Sequence, residues 1–137
     1  MKELSIDATV ENIERVTAFV DAELEALGCP MKAQAQIDIA IDELFSNIAR
    51  YAYNPEVGPA SVRVEVAEAP LRVVITFIDK GVPYDPLQMK DPDLNAPLEE
   101  REAGGFGIYL VKKSMDEIAY EYKDGQNILC IKKKLSL

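Results

Sequence analysis

Glu43 and Asn47 stand four residues apart in a segment with a helical period, so their side chains are neighbours on one helix face. A carboxylate can take a proton from a hydroxyl group or from water. An amide oxygen is a hard ligand of the kind that suits Mg²⁺, which keeps several waters and phosphate oxygens. The ordinary alternative is a solvated polar pair beside an apolar stripe.

Asp79 ends a long apolar segment that is typical of a buried strand, and Gly81 follows two residues later. A carboxylate buried there needs a hydrogen-bond donor, and the exocyclic amine of adenine is one. Gly81 allows the backbone to pass close to such a base. A simple strand-ending turn is the alternative interpretation of Asp79 and Gly81.

A glycine-rich segment, Gly104-Gly105-Phe106-Gly107, opens an apolar stretch with a helical period. Exposed backbone N–H groups and the helix dipole at such a position bind phosphate. A flexible hinge is a compatible alternative. The chain has no Gly-x-x-x-x-Gly-Lys-Ser/Thr segment, which excludes a Walker P-loop.

The elements that position these residues follow from the hydrophobic pattern. Two helices are predicted first, from about Val10 to Leu27 and from Met31 to about Asn54. Alternation predicts a short strand at Leu4 and Ile6 and further strands ahead of Asp79 and at the end of the chain. The order βααββ, a long proline-rich segment, then αββ predicts an α+β fold. Its layers are a mostly antiparallel mixed sheet with helices on one face.

Composition excludes several functions. The 137 residues suit one domain, and a net charge of −9 disfavours direct binding to nucleic acid. The absence of histidine removes a Ser-His-Asp triad, a zinc–histidine site and a phospho-accepting histidine. We expect no membrane span and no signal peptide, and we expect two reduced cysteines in a cytoplasmic protein.

The order Glu-x-x-x-Asn, Asp-x-Gly and Gly-Gly-x-Gly resembles the N, G1 and G2 boxes of the GHKL ATPase superfamily. Within that superfamily the chain most resembles the anti-sigma-factor serine kinases. The features that carry this likeness are small size, the segment Asp-Lys-Gly-Val-Pro-Tyr-Asp-Pro and the segment Gly-Gly-Phe-Gly-Ile-Tyr-Leu-Val.

The resemblance implies a Bergerat ATP-binding fold over residues 1–137, with a lid at about residues 82–103. It implies that Asn47 binds Mg²⁺, that Glu43 is the general base, and that Asp79 and Gly81 form the adenine site. It further implies transfer of the ATP γ-phosphate to a STAS-domain antagonist and a competing grip on a sigma factor, often by a homodimer. The residues implied to wrap the phosphates are Gly104, Gly105, Phe106 and Gly107.

Two departures from the family pattern leave an alternative open. Pro83 stands where the wider superfamily often has a second glycine, and Cys130 is placed where a threonine often supports the adenine-binding aspartate. The alternative is a protein-binding module that uses ATP as a conformational ligand and transfers nothing. A third, more distant interpretation is an α+β interaction domain that binds no nucleotide.

Overall fold

The computed structural model describes residues 1–88 and 105–135. Most of the predicted lid, and Gly104 with it, lies outside the described residues. The strands are β1 (Lys2–Asp7), β2 (Pro59–Ala67), β3 (Arg72–Asp79), β4 (Glu117–Lys123) and β5 (Gln126–Lys134). The helices are α1 (Ile13–Ala26), α2 (Met31–Tyr51) and α3 (Gly105–Ser114). Short 3₁₀ turns occupy Val10–Asn12 and Pro86–Gln88.

The five strands form one sheet in the order β1-β2-β3-β5-β4, and all four pairings are antiparallel. The predicted order of elements and the α+β architecture are confirmed. The strand predicted at Leu4 and Ile6 is the edge strand β1, and the hairpin predicted ahead of Asp79 is β2–β3. Because β3 is apolar along most of its length, it takes the centre of the sheet.

The core lies between one face of the sheet and the helices. The apolar stripe of α2 places Ile37, Ile41 and Phe45 completely out of solvent. Alternate residues of the central strand, such as Ile75 and Phe77, face them, as the period of two requires. The opposite sheet face carries part-exposed side chains and no helix from the described residues. This two-layer packing holds α2 above the strand that ends at Asp79.

Helix α1 is shorter than the pattern predicts, because Val10–Asn12 form a 3₁₀ turn before it begins. Helix α2 ends at Tyr51, three residues before the predicted boundary. Among the described residues, none of the helices has the length and apolarity to cross a membrane.

Two acidic side chains meet at the contact between α1 and α2. The Oδ1 atoms of Asp21 and Asp38 are buried and have no hydrogen-bond donor among the described residues. Burial, then a hydrogen bond and the charge of Asp21, then the charge of Glu25, raise the pKa of Asp38 to about 7. Burial and the charges of Asp21 and Asp38 also raise the pKa of the Cys29 thiol, between the helices. Asp38 is therefore the carboxyl group of this contact that takes up a proton near neutral pH.

This pair makes the stability of the helix contact depend on pH. Because the folded-state pKa of Asp38 lies above its ordinary value of 3.8, the folded protein holds this proton more tightly than the unfolded chain does. The contribution is complete below the ordinary pKa and is lost as the pH rises through about 7. Asp38→Asn should therefore raise the free energy of unfolding at about pH 8 by about 1 kcal/mol, a value already reduced for solvent screening.

Urea unfolding between about pH 5 and pH 8.5 measures this effect, and the Asp38→Asn curve should be flatter than that of the wild type. Asp42→Asn, an exposed substitution on the same helix, is the matched control. Parallel pH curves for wild type and Asp38→Asn would show that the pKa of Asp38 is not raised in the folded protein.

Candidate functional site

Asp79 is only 6% exposed although it is a carboxylate. Its Oδ1 atom accepts hydrogen bonds from the backbone N–H of Gly81 at 2.9 Å and from Nδ2 of Asn127 at 2.9 Å. Among the described residues, no donor contacts its second oxygen, Oδ2. Two donors on one oxygen hold the carboxylate in one orientation and leave the other oxygen for a ligand.

Asn127 is the residue that organises this end of the sheet. It pairs with Asp79 in the register of β3 and β5 and is 6% exposed. Its Nδ2 atom also donates to the carbonyl oxygen of Val82 at 2.9 Å. Its Oδ1 atom accepts from the backbone N–H of Tyr84 at 3.1 Å and from the hydroxyl of Tyr120. One buried amide thus ties Asp79 to the segment after β3 and to β4.

The prediction that Cys130 takes the place beside Asp79 is wrong. Cys130 pairs with Thr76, three positions away along β3, and its side chain lies on the opposite face of the sheet from Asn127. Asn127 supplies the hydrogen bond instead. The signal for it was available, because Asn127 follows the Asp124-Gly125 turn directly and so lies at the Asp79 end of the antiparallel sheet.

Gly81 is needed at the contact between the turn after β3 and the end of α2. A Cβ atom at this position would overlap the backbone carbonyl of Ala52. That carbonyl accepts the N–H of Val82 at 3.0 Å. The glycine therefore brings the turn against α2, a contact that neither the ligand interpretation nor the simple-turn interpretation of the sequence had included.

A pocket opens at this end of the sheet, and its empty space, open solvent included, is about 390 Å³. Its lining is mostly apolar, with a few polar side chains, as is usual for small-molecule sites. The rings of Tyr51 and Tyr84 lie 5.9 Å apart at one side of it. The lining residues are Asn47, Ile48, Tyr51, Ala52, Phe77, Asp79, Val82, Tyr84, Pro86, Tyr120, Asn127 and Leu129.

Asn47 joins the same pocket from α2. Its Nδ2 atom is buried and has no hydrogen-bond partner among the described residues. An unpaired amide beside a pocket fits a side chain that binds an absent group. The structure thus brings Asn47 and Asp79, which are predicted from separate motifs, to one cavity.

Glu43 lies one helical turn before Asn47 and is part-buried. Burial is the main cause that raises the pKa of its carboxyl group, the charge of Asp42 adds to it, and Arg50 opposes it. Glu43 also acts on the pKa of Tyr84, which is raised first by burial and then by Tyr51, Asp85 and Glu43. Glu43 is therefore close to the pocket, at the end away from Asp79.

The glycine-rich segment is described only in part. Gly105 and Gly107 lie in the first turn of α3, as predicted, while Gly104 and the side chain of Phe106 lie outside what the structure describes. Gly107 lies directly against the carboxyl group of Glu43. The residues of this site that the sequence patterns did not indicate are Asn127, Tyr51, Tyr84 and Tyr120.

Both the sequence and the structure are similar to those of known proteins. The sequence is 30% identical over 95 residues to the serine/threonine-protein kinase BtrW of Bordetella bronchiseptica, covering 69% of this chain and 66% of that protein, slightly under two thirds. It is 26% identical over 134 residues to the serine-protein kinase RsbW of Bacillus mycoides, covering 95% of this chain and 82% of that protein.

The structure is similar to the RsbU and RsbW domains of Rv1364c from Mycobacterium tuberculosis, with a TM-score of 0.65 and 18% identity. The match covers 100% of this chain and 33% of that one, and it concerns the fold alone. The family model for the histidine kinase-like ATPase domain matches residues 6–133, nearly the whole chain. The chain therefore belongs to the histidine kinase-like ATPase domain family.

Proposed function

We propose that this protein binds ATP with Mg²⁺ and transfers the γ-phosphate to a serine or threonine hydroxyl of a partner protein. The observation that carries the proposal is the placement of Glu43 and Asn47 on one face of α2, beside the pocket that contains Asp79. Asn47, the proposed metal ligand, and Asp79, the proposed adenine-binding carboxylate, thus line one cavity, and Glu43, the proposed general base, lies one helical turn from Asn47. The names of the relatives, both of them serine or serine/threonine kinases, support the same reaction.

The adenine end of the pocket is assigned to Asp79. Its free oxygen accepts from the exocyclic amine of adenine, whereas the carbonyl oxygen of guanine at that position would meet a carboxylate. Asn127 and Gly81 keep that oxygen directed into the cavity, since both bind the other one. The aromatic rings of Tyr51 and Tyr84 provide apolar surface for a planar base.

The phosphate end is assigned to Asn47 and the first turn of α3. Asn47 fits an Mg²⁺ ligand because its side chain lines the pocket and its Oδ1 atom is a hard oxygen. Its unpaired Nδ2 atom is a donor that suits a phosphate oxygen. One protein ligand is enough for an ion that keeps waters and phosphate oxygens around it. Bound there, Mg²⁺ supplies charge neutralisation for the phosphates.

Glu43 performs the proton transfer in this scheme. It takes the proton of the attacking hydroxyl as that oxygen bonds to the γ-phosphorus and the bond from the phosphorus to ADP breaks. The products are a phosphorylated partner, ADP and a protonated Glu43, which then releases its proton to solvent. Its raised pKa suits a group that must accept a proton near neutral pH.

The partner class follows from the resemblance to the anti-sigma-factor kinases. We infer a STAS-domain antagonist as substrate and a sigma factor or related regulator as the competing partner. Phosphorylation adds about two negative charges to the substrate, which is enough to break one interface and favour another. The net charge of −9 agrees with regulation through proteins and disfavours direct contact with nucleic acid.

The competing hypothesis is an ATP-gated binding module without transfer. Two departures from the family pattern, Pro83 and Cys130, supported this hypothesis. The second no longer applies because Asn127 supports Asp79. The residues on either side of Pro83 are also fixed by Asn127, through the carbonyl of Val82 and the N–H of Tyr84. Phosphate transfer from γ-labelled ATP to a protein in a lysate of the source cells, absent with Glu43→Ala, distinguishes the two functions.

Asp79→Asn tests the adenine end. The substitution replaces an acceptor by a donor at the oxygen that faces the pocket, and it leaves the phosphate end unchanged. We expect the dissociation constants of ATP and ADP to rise by the same factor, about 30-fold or more. Isothermal titration calorimetry measures both.

Thermal unfolding of Asp79→Asn is the control for a folded protein, since Asp79 also binds Gly81 and Asn127. A loss of affinity confined to ATP would place Asp79 at the phosphate end and contradict the assignment.

Glu43→Gln tests the base, because it keeps the shape of the side chain and removes its ability to accept a proton. We expect the rate of phosphate transfer to fall about 100-fold or more, with the dissociation constant of ATP changed less than about threefold. In the wild type, the rate should fall as the pH drops through the raised pKa of Glu43, above the range of an ordinary glutamate.

Asp42→Asn, at the exposed neighbour of Glu43, is the matched control. It should keep the wild-type rate at a pH well above the pKa of Glu43, and it should move the fall in rate to lower pH because the Asp42 charge raises that pKa. Wild-type transfer by Glu43→Gln would remove Glu43 from the mechanism.

A further inference from the structure

Gly107 lies so close to Glu43 that a side chain at position 107 would have to displace the Glu43 carboxyl group. A Cβ atom built on Gly107 would overlap the carboxyl group of Glu43, and its three nearest atoms are Cδ, Oε1 and Oε2 of that residue. These nearest atoms all belong to one side chain, so the carboxyl group of Glu43 occupies the space that a Cβ atom of Gly107 would need.

Neither helix is free to move away from this contact. On α3, the residue after Gly107 is Ile108, which is fully buried, and Val111 one turn later is buried as well. On α2, Glu43 is followed by Leu44 and Phe45, both in the core. Because these neighbours anchor both helices in a close-packed interior, an added methyl group cannot be absorbed by a small separation of α2 and α3.

We propose that Gly107 is a positioning residue, whose bare backbone seats the carboxyl group of Glu43 in the orientation required for proton transfer. This inference rests on the proposed function. It gives Gly107 a task different from the contact with phosphate that the glycine-rich motif implies. It also means that the first turn of α3 and the general base are in direct contact.

The contact between Gly107 and Glu43 lets one small region serve both phosphate binding and proton transfer. The first turn of α3 offers backbone N–H groups to phosphate, and the base must lie near the phosphate that is transferred. A side chain at position 107 would turn the carboxyl group of Glu43 away from its position. That change would separate the base from the attacking hydroxyl, whereas the adenine end at Asp79 would be untouched.

Thermal unfolding of a double-mutant cycle tests the contact between Gly107 and Glu43, here called the seat, and this test does not depend on activity. In the wild-type background, Gly107→Ala should lower Tm because its methyl group meets the Glu43 carboxyl group. In the Glu43→Ala background, the same change should raise Tm by a few degrees, because the space is then free and alanine favours a helix more than glycine does.

Two further backgrounds show whether the shape or the charge of Glu43 is responsible for the effect of Gly107→Ala on Tm. Glu43→Gln keeps the shape of the side chain, so Gly107→Ala should remain destabilising in it. Asp42→Ala removes an exposed carboxylate that does not contact Gly107, so Gly107→Ala should lower Tm as it does in the wild type. An equal effect of Gly107→Ala in the wild-type and Glu43→Ala backgrounds would overturn the seat.

Transfer kinetics test the positioning role. For Gly107→Ala we expect kcat to fall about tenfold or more, with the dissociation constant of ATP within about threefold of the wild type. The pH at which half of the activity is lost should move down, because a displaced Glu43 is better solvated. A weaker affinity for ATP with an unchanged kcat would overturn the role and leave Gly107 as a phosphate contact.

The two arms separate the inference from the proposed function. A reversal of the Tm effect in a protein that transfers no phosphate would support the seat and refute the kinase. Transfer by the wild type without that reversal would support the kinase and refute the seat.

Discussion

A carboxylate buried at the end of a strand requires hydrogen-bond donors, and the donors to Asp79 come from two separate parts of the chain. Gly81 reaches it through the turn that follows β3, and Asn127 reaches it across the β3–β5 ladder. Satisfying this one charge fixes the path of the chain from Asp79 to Tyr84 and the end of β5 beside it. The floor of the pocket therefore exists because Asp79 is buried and paired.

Helix α2 transmits that geometry to the other end of the site. Its buried stripe is fixed over the sheet, and its C-terminal carbonyl at Ala52 binds the turn after Asp79. Asn47 and Glu43 follow at one-turn intervals away from that contact, which sets their distance from Asp79. Since α3 lies against Glu43 through a glycine, the described parts of the three motifs meet along one edge of α2.

The hydrophobic patterns were sufficient to predict the elements and their layers, because periods of 3.6 and 2 report directly which face is buried. They also indicated Glu43, Asn47 and Asp79, since each is a polar residue at a fixed offset from an apolar stripe. The residue that supports Asp79 was misassigned to Cys130, because cross-strand partners depend on register and a shift of one residue reverses the face. The turn that joins β4 and β5 places the start of β5 at the Asp79 end of the sheet, and the register of β3 with β5 then pairs Asp79 with Asn127.

Contacts between helices could not be read from periodicity at all. The closeness of Gly107 to Glu43 depends on how α3 docks on α2, and the raised pKa of Asp38 depends on how α1 brings Asp21 against the same helix. Each contact joins residues from different helices, and neither produces a recognisable pattern in the sequence of its own segment. They arise from the packing of side chains in three dimensions, where a single methyl group is decisive.

The most direct test of the account is a titration followed by the side-chain amide NMR signals of Asn127 and Asn47. Adenosine should shift the Asn127 signals and leave those of Asn47 nearly unchanged, because the base meets only the Asp79 end. ATP with Mg²⁺ should shift both sets, since it spans the cavity from Asp79 to Asn47. Shifts of Asn47 alone, or none at either side chain when nucleotide is bound, would contradict the assignment of this pocket.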